Sequence, residues 1–271
     1  MFKKILIMLF LFFVSAGQIL AKDLKFAQIA DVHYNLDETS NSKQSLKWAI
    51  DELNKMNDLD FVVFLGDNIE KSNKESLKSF LNIVNSLNKP YYLVLGNQDA
   101  HKISGITKDE YIDIVLNYNK NQKAFSSNYM FIPKKGMKCL VLDGVMPFMP
   151  SKHGQYTKET LEFAKNNLKK YKKDKFIIFQ HFPIYEPFEE QAREIYEKDA
   201  YLELLKDFDN ILLISSGHYH ASKSTYDKKN VLHLSTESFA KEGHYFDIVE
   251  IKLQDRKTKK FEINVKHIHL Q

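Results

Sequence analysis

The stretch that decides the fold is residues 24–33, which read LKFAQIADVH. Its first seven residues form an apolar run with little alternation, as in strands that are buried on both faces of a sheet. The run leads directly into Asp31-Val32-His33, which carries two side chains of metal-binding type. The same order, a strand-like run followed at once by polar residues, is repeated along the chain.

Further apolar runs share this strand-like character. They are Phe61–Leu65, Tyr91–Leu95, Lys138–Leu142, Phe176–Phe179 and Ile211–Ile214. Between them, apolar residues occur at helical spacing in Ser42–Met56, Glu75–Leu87, 155–170 and 190–206. The alternation of strands and helices predicts β-α-β units and a mostly parallel sheet.

The pattern changes after Ser216. Four segments with turn-like breaks between them, 222–227, 230–236, 245–253 and 260–269, read as successive strands. They predict an antiparallel or mixed second sheet at the C-terminal end. The fold expected for the whole chain is therefore an α/β sandwich of two mixed sheets flanked by helices.

The N-terminus has the order of a secretory signal peptide: Lys3 and Lys4, an apolar run over 5–14, then small residues. Residues 1–21 are predicted to be this signal and 22–271 to form one catalytic domain. Cleavage after Ala16 and cleavage after Ala21 both fit, and an uncleaved anchor is the alternative. The expected location is the periplasm or the outside of the cell.

Composition narrows the function classes. The formal charge of +4 is too small to indicate binding to nucleic acid, or to a membrane beyond the export signal. Cys139 is the single cysteine, so no intramolecular disulfide can form, and its apolar surroundings predict a buried side chain. The sequence does not indicate an oligomeric state.

Polar residues follow five of the predicted strands. They are Asp31 and His33, then Asp67, then Asn97, Gln98 and Asp99, then His181, and last His218 and His220. In open α/β sheets, sites form beyond the carboxyl ends of strands, so these residues are expected in one crevice. Imidazole, carboxylate and amide oxygen together favour Zn, Mn, Fe or similar ions, and there are more ligands than one ion needs. If the chain stays extended through Val32, Asp31 and His33 point the same way.

These pieces resemble the calcineurin-like metallophosphoesterases. That family carries Asp-x-His, Gly-Asp, Gly-Asn-His-Asp/Glu, a lone His and Gly-His-x-His in this order. Here the pieces read Asp31-Val32-His33, Gly66-Asp67, Gly96-Asn97-Gln98-Asp99, His181 and Gly217-His218-Tyr219-His220. The resemblance spans roughly residues 24 to 235.

The resemblance implies a two-metal phosphoesterase acting on small phosphate esters, either a monoesterase or a diesterase. One metal would be held by Asp31, His33 and His220 and the other by Asn97, His181 and His218, with Asp67 bridging them. The ions would be divalent or of mixed valence, Mn, Fe or Zn. A hydroxide bridging them would attack the phosphorus in line with the leaving group.

Gln98 departs from the family, which usually has a histidine at this position. A glutamine amide can donate a hydrogen bond but cannot release a proton at ordinary pH. His101 and His153 are candidates to replace the missing acid; the alternatives are substrates that need little protonation and a weak activity. Glu70 stands where purple acid phosphatases have a tyrosine ligand, which argues against a purple site.

Two other functions compete with a phosphoesterase. A metal-dependent amidohydrolase would open with His-x-His rather than with Asp31-Val32-His33. A metal-binding protein of the same fold with weak or no catalysis is the second alternative, and Gln98 motivates it.

Overall fold

The structure is a computed structural model that describes residues 23–37, 40–100, 103–119, 126–146, 151–190, 193–255 and 260–270. The segment interpreted as a signal peptide lies outside these residues. Among the described residues, no helix combines the length and the apolar character needed to cross a membrane.

Two sheets carry the fold, as the sequence predicted. The strands are β1 Leu24–Ile29, β2 Phe61–Phe64, β3 Tyr91–Leu93, β4 Tyr129–Lys134, β5 Met137–Leu142, β6 Gly154–Gln155, β7 Lys175–Gln180, β8 Ile195–Tyr196, β9 Ile211–Ser216, β10 Lys223–Tyr226, β11 Leu232–Ser235, β12 Tyr245–Asp255 and β13 Lys260–His269. The helices are α1 Ser42–Lys55, α2 Lys74–Val84, α3 Lys108–Tyr118, α4 Lys158–Lys170 and α5 Lys198–Lys206.

The first sheet has the strand order β13-β12-β1-β2-β3, and the second has the order β10-β11-β9-β7-β5-β4. Strands β1, β2 and β3 run parallel, as do β5, β7, β9 and β11. Antiparallel strands β12, β13, β4 and β10 complete the edges, so both sheets are mixed. The predicted α/β sandwich of two mixed sheets is confirmed.

Aromatic side chains fill the space between the sheets. Phe26 of β1 stacks on Phe61 of β2 at 4.9 Å and meets Phe179 of β7 edge-on at 5.4 Å. On the other face of the first sheet, Phe64 packs against Phe80 of α2 at 5.4 Å. Strand β2 is therefore buried on both faces, which is why its sequence shows no alternation.

Three expectations differ from the structure. The C-terminal strands do not form a second sheet of their own: β10 and β11 extend the sheet of β9, while β12 crosses to pair with β1. The predicted helix at 190–206 is confined to Lys198–Lys206, because Ile195 pairs with Gly154 in a short parallel β6–β8 ladder. Helix α3 was not predicted, although its N-terminus carries a capping box between Thr107 and Glu110.

Candidate metal centre

The predicted ligands gather at one end of the sandwich. Each follows a strand of a parallel set: Asp31 and His33 follow β1, Asp67 follows β2, Asn97 follows β3, His181 follows β7, and His218 and His220 follow β9. We call these seven residues the candidate metal centre. All except His33 and His220 are buried, and those two are partly exposed.

One half of the centre is formed by Asp31, His33 and His220. Each offers a ligand atom within 4.8 Å of the other two. His33 Nε2 lies 3.2 Å from His220 Nε2, which in turn lies 3.4 Å from Asp31 Oδ1. This is the set that the resemblance assigned to one ion.

The other half converges on His181 Nε2. This atom lies 3.2 Å from His218 Nδ1, 3.2 Å from Asn97 Oδ1 and 3.5 Å from Asp67 Oδ1. Asp67, His181 and His218 again offer ligand atoms within 4.8 Å of one another. This half contains the residues that the resemblance assigned to the second ion.

The Asp67 carboxylate lies between the halves. Its Oδ1 faces His181, and its Oδ2 lies 4.0 Å from His33 Nε2. A carboxylate whose two oxygens face two ligand groups has the placement of a bridging ligand. Asp67 therefore lies between the two ligand groups, and its role as a bridge stays a prediction.

The donor atoms fit metal ions. His181 Nδ1 lies 2.8 Å from the carbonyl oxygen of Leu65, so Nδ1 donates its proton there and Nε2 presents a lone pair to the centre. Asp31 Oδ2 accepts the backbone N–H of His218 at 2.9 Å, while the buried Asp31 Oδ1 has no hydrogen-bond partner. A buried carboxylate oxygen without a donor, beside converging imidazole nitrogens, is what a bound cation stabilises.

The pKa shifts of the buried ligands also favour a bound cation. Burial by itself lowers the pKa of His181, but the charge of Asp67 outweighs it and raises that pKa to about 9. Burial opposes ionisation of Asp67 too, yet His181 holds the pKa of Asp67 well below its usual range. For His218, burial and then repulsion from His181 lower the pKa to about 3. The buried carboxylate thus needs a positive charge beside it, which a metal ion supplies when bound.

The backbone at the ligands is strained. Asp31, His33, Asp67, His218 and His220 have φ between +45° and +71°, the left-handed region that side chains other than glycine rarely adopt. The expectation that the chain stays extended through Val32 is wrong, since β1 ends at Ile29. Strain of this kind persists where surrounding contacts fix it, and it concentrates at functional sites.

Gly96 allows the closest approach in the centre. A Cβ at this position would lie 2.0 Å from the backbone nitrogen of Asp67 and 2.3 Å from its Oδ1. Only a residue without a side chain lets the loop after β3 pass so near the loop after β2.

Asp99 connects these same two loops. Its Oδ1 accepts the backbone N–H groups of Asn68 at 2.8 Å and Ile69 at 3.1 Å, and its Oδ2 accepts from Gly96 N at 2.9 Å and Asn68 Nδ2 at 3.0 Å. Burial and then the charge of Asp67 raise the pKa of Asp99 to about 7. Asp99 thus holds the loops beside Asp67, a role that the sequence did not reveal.

Of the residues considered for the leaving-group step, the structure describes Gln98 and His153. Gln98 is partly exposed, and its backbone N–H donates to Asp67 Oδ1 at 2.7 Å. His101 lies outside the described residues. His153 contacts the carbonyl oxygen of Glu194 through Nδ1 at 3.1 Å and stacks on Tyr196 at 4.4 Å, so its ring is engaged by β8 and the residue before it.

Two cations that the sequence did not single out hold the loop after β9. Arg193 Nη1 donates to the carbonyl oxygen of His218 at 2.7 Å, and Lys241 Nζ donates to that of His220 at 2.5 Å. Glu70 Oε2 lies 3.0 Å from His33 Nδ1. The only sign of a role for Arg193 in the sequence is its rarity, because the chain has two arginines among 39 basic residues.

The model of the calcineurin-like phosphoesterases matches residues 24–222, which include every residue of the candidate metal centre. The chain belongs to the calcineurin-like phosphoesterase family. The chemistry of this family is the hydrolysis of phosphate esters. None of the curated proteins compared with the chain is similar enough to count as a match.

Solved structures with the same fold include enzymes of this kind. A dimetal phosphatase from Danio rerio is 15% identical, with a TM-score of 0.67 over 91% of this chain and 98% of that one. The phosphopantetheinyl hydrolase of Mycobacterium tuberculosis is 11% identical, with a TM-score of 0.53 over 80% and 90%. GAP50, the anchor in the inner membrane complex of Plasmodium, is 17% identical, with a TM-score of 0.56 over 92% and 85%. At these identities the likeness is one of fold.

Proposed function

We propose that this calcineurin-like phosphoesterase uses two metal ions to hydrolyse small phosphate esters. The observation that carries the proposal is the position of the Asp67 carboxylate, with one oxygen toward His181 and the other toward His33. A single-ion site has no need of a carboxylate placed between two complete ligand groups.

The ligands divide between the ions by their distances. Asp31, His33 and His220 would hold one ion, His181, His218 and Asn97 would hold the other, and Asp67 would be shared. When bound, the ions would activate a water molecule and would stabilise the charge that develops on the phosphoryl oxygens. This donor set suits Mn, Fe or Zn.

The residues of the chain contribute position and charge. Gln98 fixes Asp67 through its backbone N–H, and Asp99 fixes the loops on either side of Asp67. The Gln98 side chain can donate a hydrogen bond to an ester oxygen but has no proton to release. We therefore propose that the enzyme prefers esters whose leaving groups depart without protonation, such as phenolic esters.

Export is a separate proposal that rests on residues 1–21 alone. Their order of basic, apolar and small residues is that of a secretory signal. Mass measurement of the N-terminus after expression with the full leader tests cleavage: a chain starting after Ala16 or Ala21 supports a cleaved export signal, and an intact Met1 contradicts cleavage and favours the uncleaved anchor.

The experiment that tests the function combines metal analysis with turnover. The purified protein is loaded separately with Mn, Fe and Zn, its bound metal is counted, and p-nitrophenyl phosphate and bis(p-nitrophenyl) phosphate are offered as monoester and diester. Two ions per chain with turnover of either ester support the proposal. No more than one ion after loading contradicts the two-metal site, and two ions without turnover contradict catalysis.

A further inference from the structure

A second cluster of polar side chains lies outside the candidate metal centre. Ser222, directly before β10, places its Oγ 2.6 Å from Nε2 of His267 on β13. The other ring nitrogen of His267, Nδ1, lies 2.6 Å from Oδ1 of Asp247 on β12. A serine, a histidine and an aspartate therefore stand in a row, with the two ring nitrogens between the hydroxyl and the carboxylate.

The sheet fixes the second half of this row. Asp247 and His267 are direct partners in the antiparallel β12–β13 ladder, so their side chains emerge side by side on the same face. Asp247 is fully buried. Its Oδ2 accepts hydrogen bonds of 3.1 Å from Gln28 Nε2 and from Thr236 Oγ1, which hold the carboxylate in place.

Ser222 and His267 form the part of this cluster that faces solvent. Ser222 is exposed, and 45% of the His267 side chain is accessible. The close contact with Asp247 raises the pKa of His267, as expected when a carboxylate stabilises an imidazolium. The Nδ1···Oδ1 contact of 2.6 Å is an ion-pair contact rather than an aligned hydrogen bond.

We propose that Ser222, His267 and Asp247 form a nucleophilic site that needs no metal ion, although Ser222 follows the candidate ligand His220 by two residues, and that Ser222 accepts there an acyl group from an ester of a carboxylic acid. Such triads are recognised by their geometry and roles rather than by sequence position. The nucleophile must lie within hydrogen-bond reach of the base, and the base must be oriented by a third group. Ser222, His267 and Asp247 satisfy these conditions in that order.

The chemical step balances within the site. Ser222 Oγ forms a bond to the acyl carbon while its proton passes to His267 Nε2. The bond from that carbon to the ester oxygen breaks, and the departing alcohol takes the proton from His267. Asp247 stabilises the imidazolium that exists between the two transfers. A water molecule then repeats the sequence on the acyl-serine and releases the carboxylic acid.

The test uses the whole chain and two serine-directed reagents. p-Nitrophenyl acetate reports acyl transfer by release of p-nitrophenol and by an acetyl adduct, and an alkyl fluorophosphonate traps the same hydroxyl with loss of fluoride. Peptide mapping locates both adducts. Ser222→Ala should abolish them, and His267→Gln should slow them by about 100-fold, because general base assistance is typically worth 10²–10⁴-fold in rate.

The controls separate this site from the metal centre and from ordinary surface serines. Ser224→Ala, two residues along the same exposed segment, should leave both adducts unchanged. Treatment with a chelator should also leave them unchanged while it removes phosphate-ester turnover. Circular dichroism checks that each variant is folded. Absence of either adduct at Ser222, equal labelling in His267→Gln, or loss of labelling with the chelator would overturn the proposal.

Discussion

The backbone N–H of Gln98 donates a hydrogen bond of 2.7 Å to Asp67 Oδ1, so the residue that departs from the family pattern is tied to the carboxylate at the middle of the candidate metal centre. The bond comes from the main chain and does not depend on the side chain. Position 98 can therefore change its chemistry without disturbing Asp67. A substitution at position 98 can therefore test the leaving-group step without changing metal binding.

Gln98→His should raise turnover of esters with poor leaving groups more than that of esters with good ones. A histidine at this position can protonate the departing oxygen, whereas glutamine cannot. We expect a gain on the order of tenfold or more on alkyl phosphates, and little change on p-nitrophenyl phosphate. The measurement is kcat/KM for both esters at equal metal content.

Gln98→Asn is the matched control, since it keeps an amide and the backbone donor. It should retain the leaving-group preference of the original protein. An equal gain on both esters in Gln98→His would remove the leaving-group explanation.

Asp67→Asn should weaken both metal sites together, because the carboxylate lies between the two ligand groups and the amide carries no charge. We expect the count of bound ions to fall below two and turnover to fall by at least about 100-fold, the range found when an electrostatic contribution to catalysis is removed. His220→Gln serves as the comparison, since His220 belongs to one half only. If Asp67→Asn lost one ion and kept the other at full affinity, Asp67 would not be the bridge.

Asp99→Asn should destabilise the fold although Asp99 touches no substrate. Its carboxylate accepts hydrogen bonds from four N–H groups. The NH₂ group of an asparagine cannot accept a hydrogen bond, so some of these N–H groups would lose their acceptor. Each buried group left unsatisfied costs roughly 1–3 kcal/mol. Urea unfolding in the presence of a chelator measures the loss without a contribution from metal binding.

Asp209→Asn is the control for this change, because Asp209 is an exposed partner of Lys229 and its removal should leave the unfolding midpoint where it was. Equal midpoints for Asp99→Asn and the original protein would show that the carboxylate is not needed to hold the two loops.

The location of the centre was predictable, whereas its backbone was not. Each motif follows an apolar run, and the carboxyl ends of parallel strands meet, so Asp31, Asp67 and His181 were expected together. The left-handed conformations of Asp31, Asp67 and three of the histidine ligands were not visible in the sequence, because an aspartate or histidine in a loop looks the same whatever its φ. The support that Arg193 and Lys241 give to His218 and His220 depends on contacts distant in sequence, and no motif marks them.

The limits of the fold prediction have the same origin. The alternation in β12 fits pairing with any neighbour, and only the three-dimensional fold places Asp247–Ile251 beside β1. Helix α3 is a different case, since Thr107 and Glu110 form a capping pattern that marks its N-terminus in the sequence.

The acid sensitivity of the fold should depend on His233. Its ring is buried on β11, and burial lowers its pKa despite a 3.3 Å contact with Asp227. Above the unfolded pKa of about 6.5, neither state binds the proton, so His233 adds no pH dependence. As the pH falls below that value, His233 binds a proton in the unfolded chain but not in the folded one. The free energy of unfolding therefore decreases until the pH reaches the folded pKa.

His233→Gln should therefore lose less stability than the original protein between pH 7.5 and 5.5, measured by urea unfolding in the presence of a chelator. His267→Gln gives the opposite sign, because Asp247 raises the pKa of His267 in the folded state. That contribution is fully present below pH 6.5 and is lost as the pH rises through the folded pKa, so removing it should steepen the loss on acidification. The same pH slope in all three proteins would mean that neither histidine titrates differently in the folded and unfolded states. A shallower slope in His267→Gln would contradict the ion pair between His267 and Asp247.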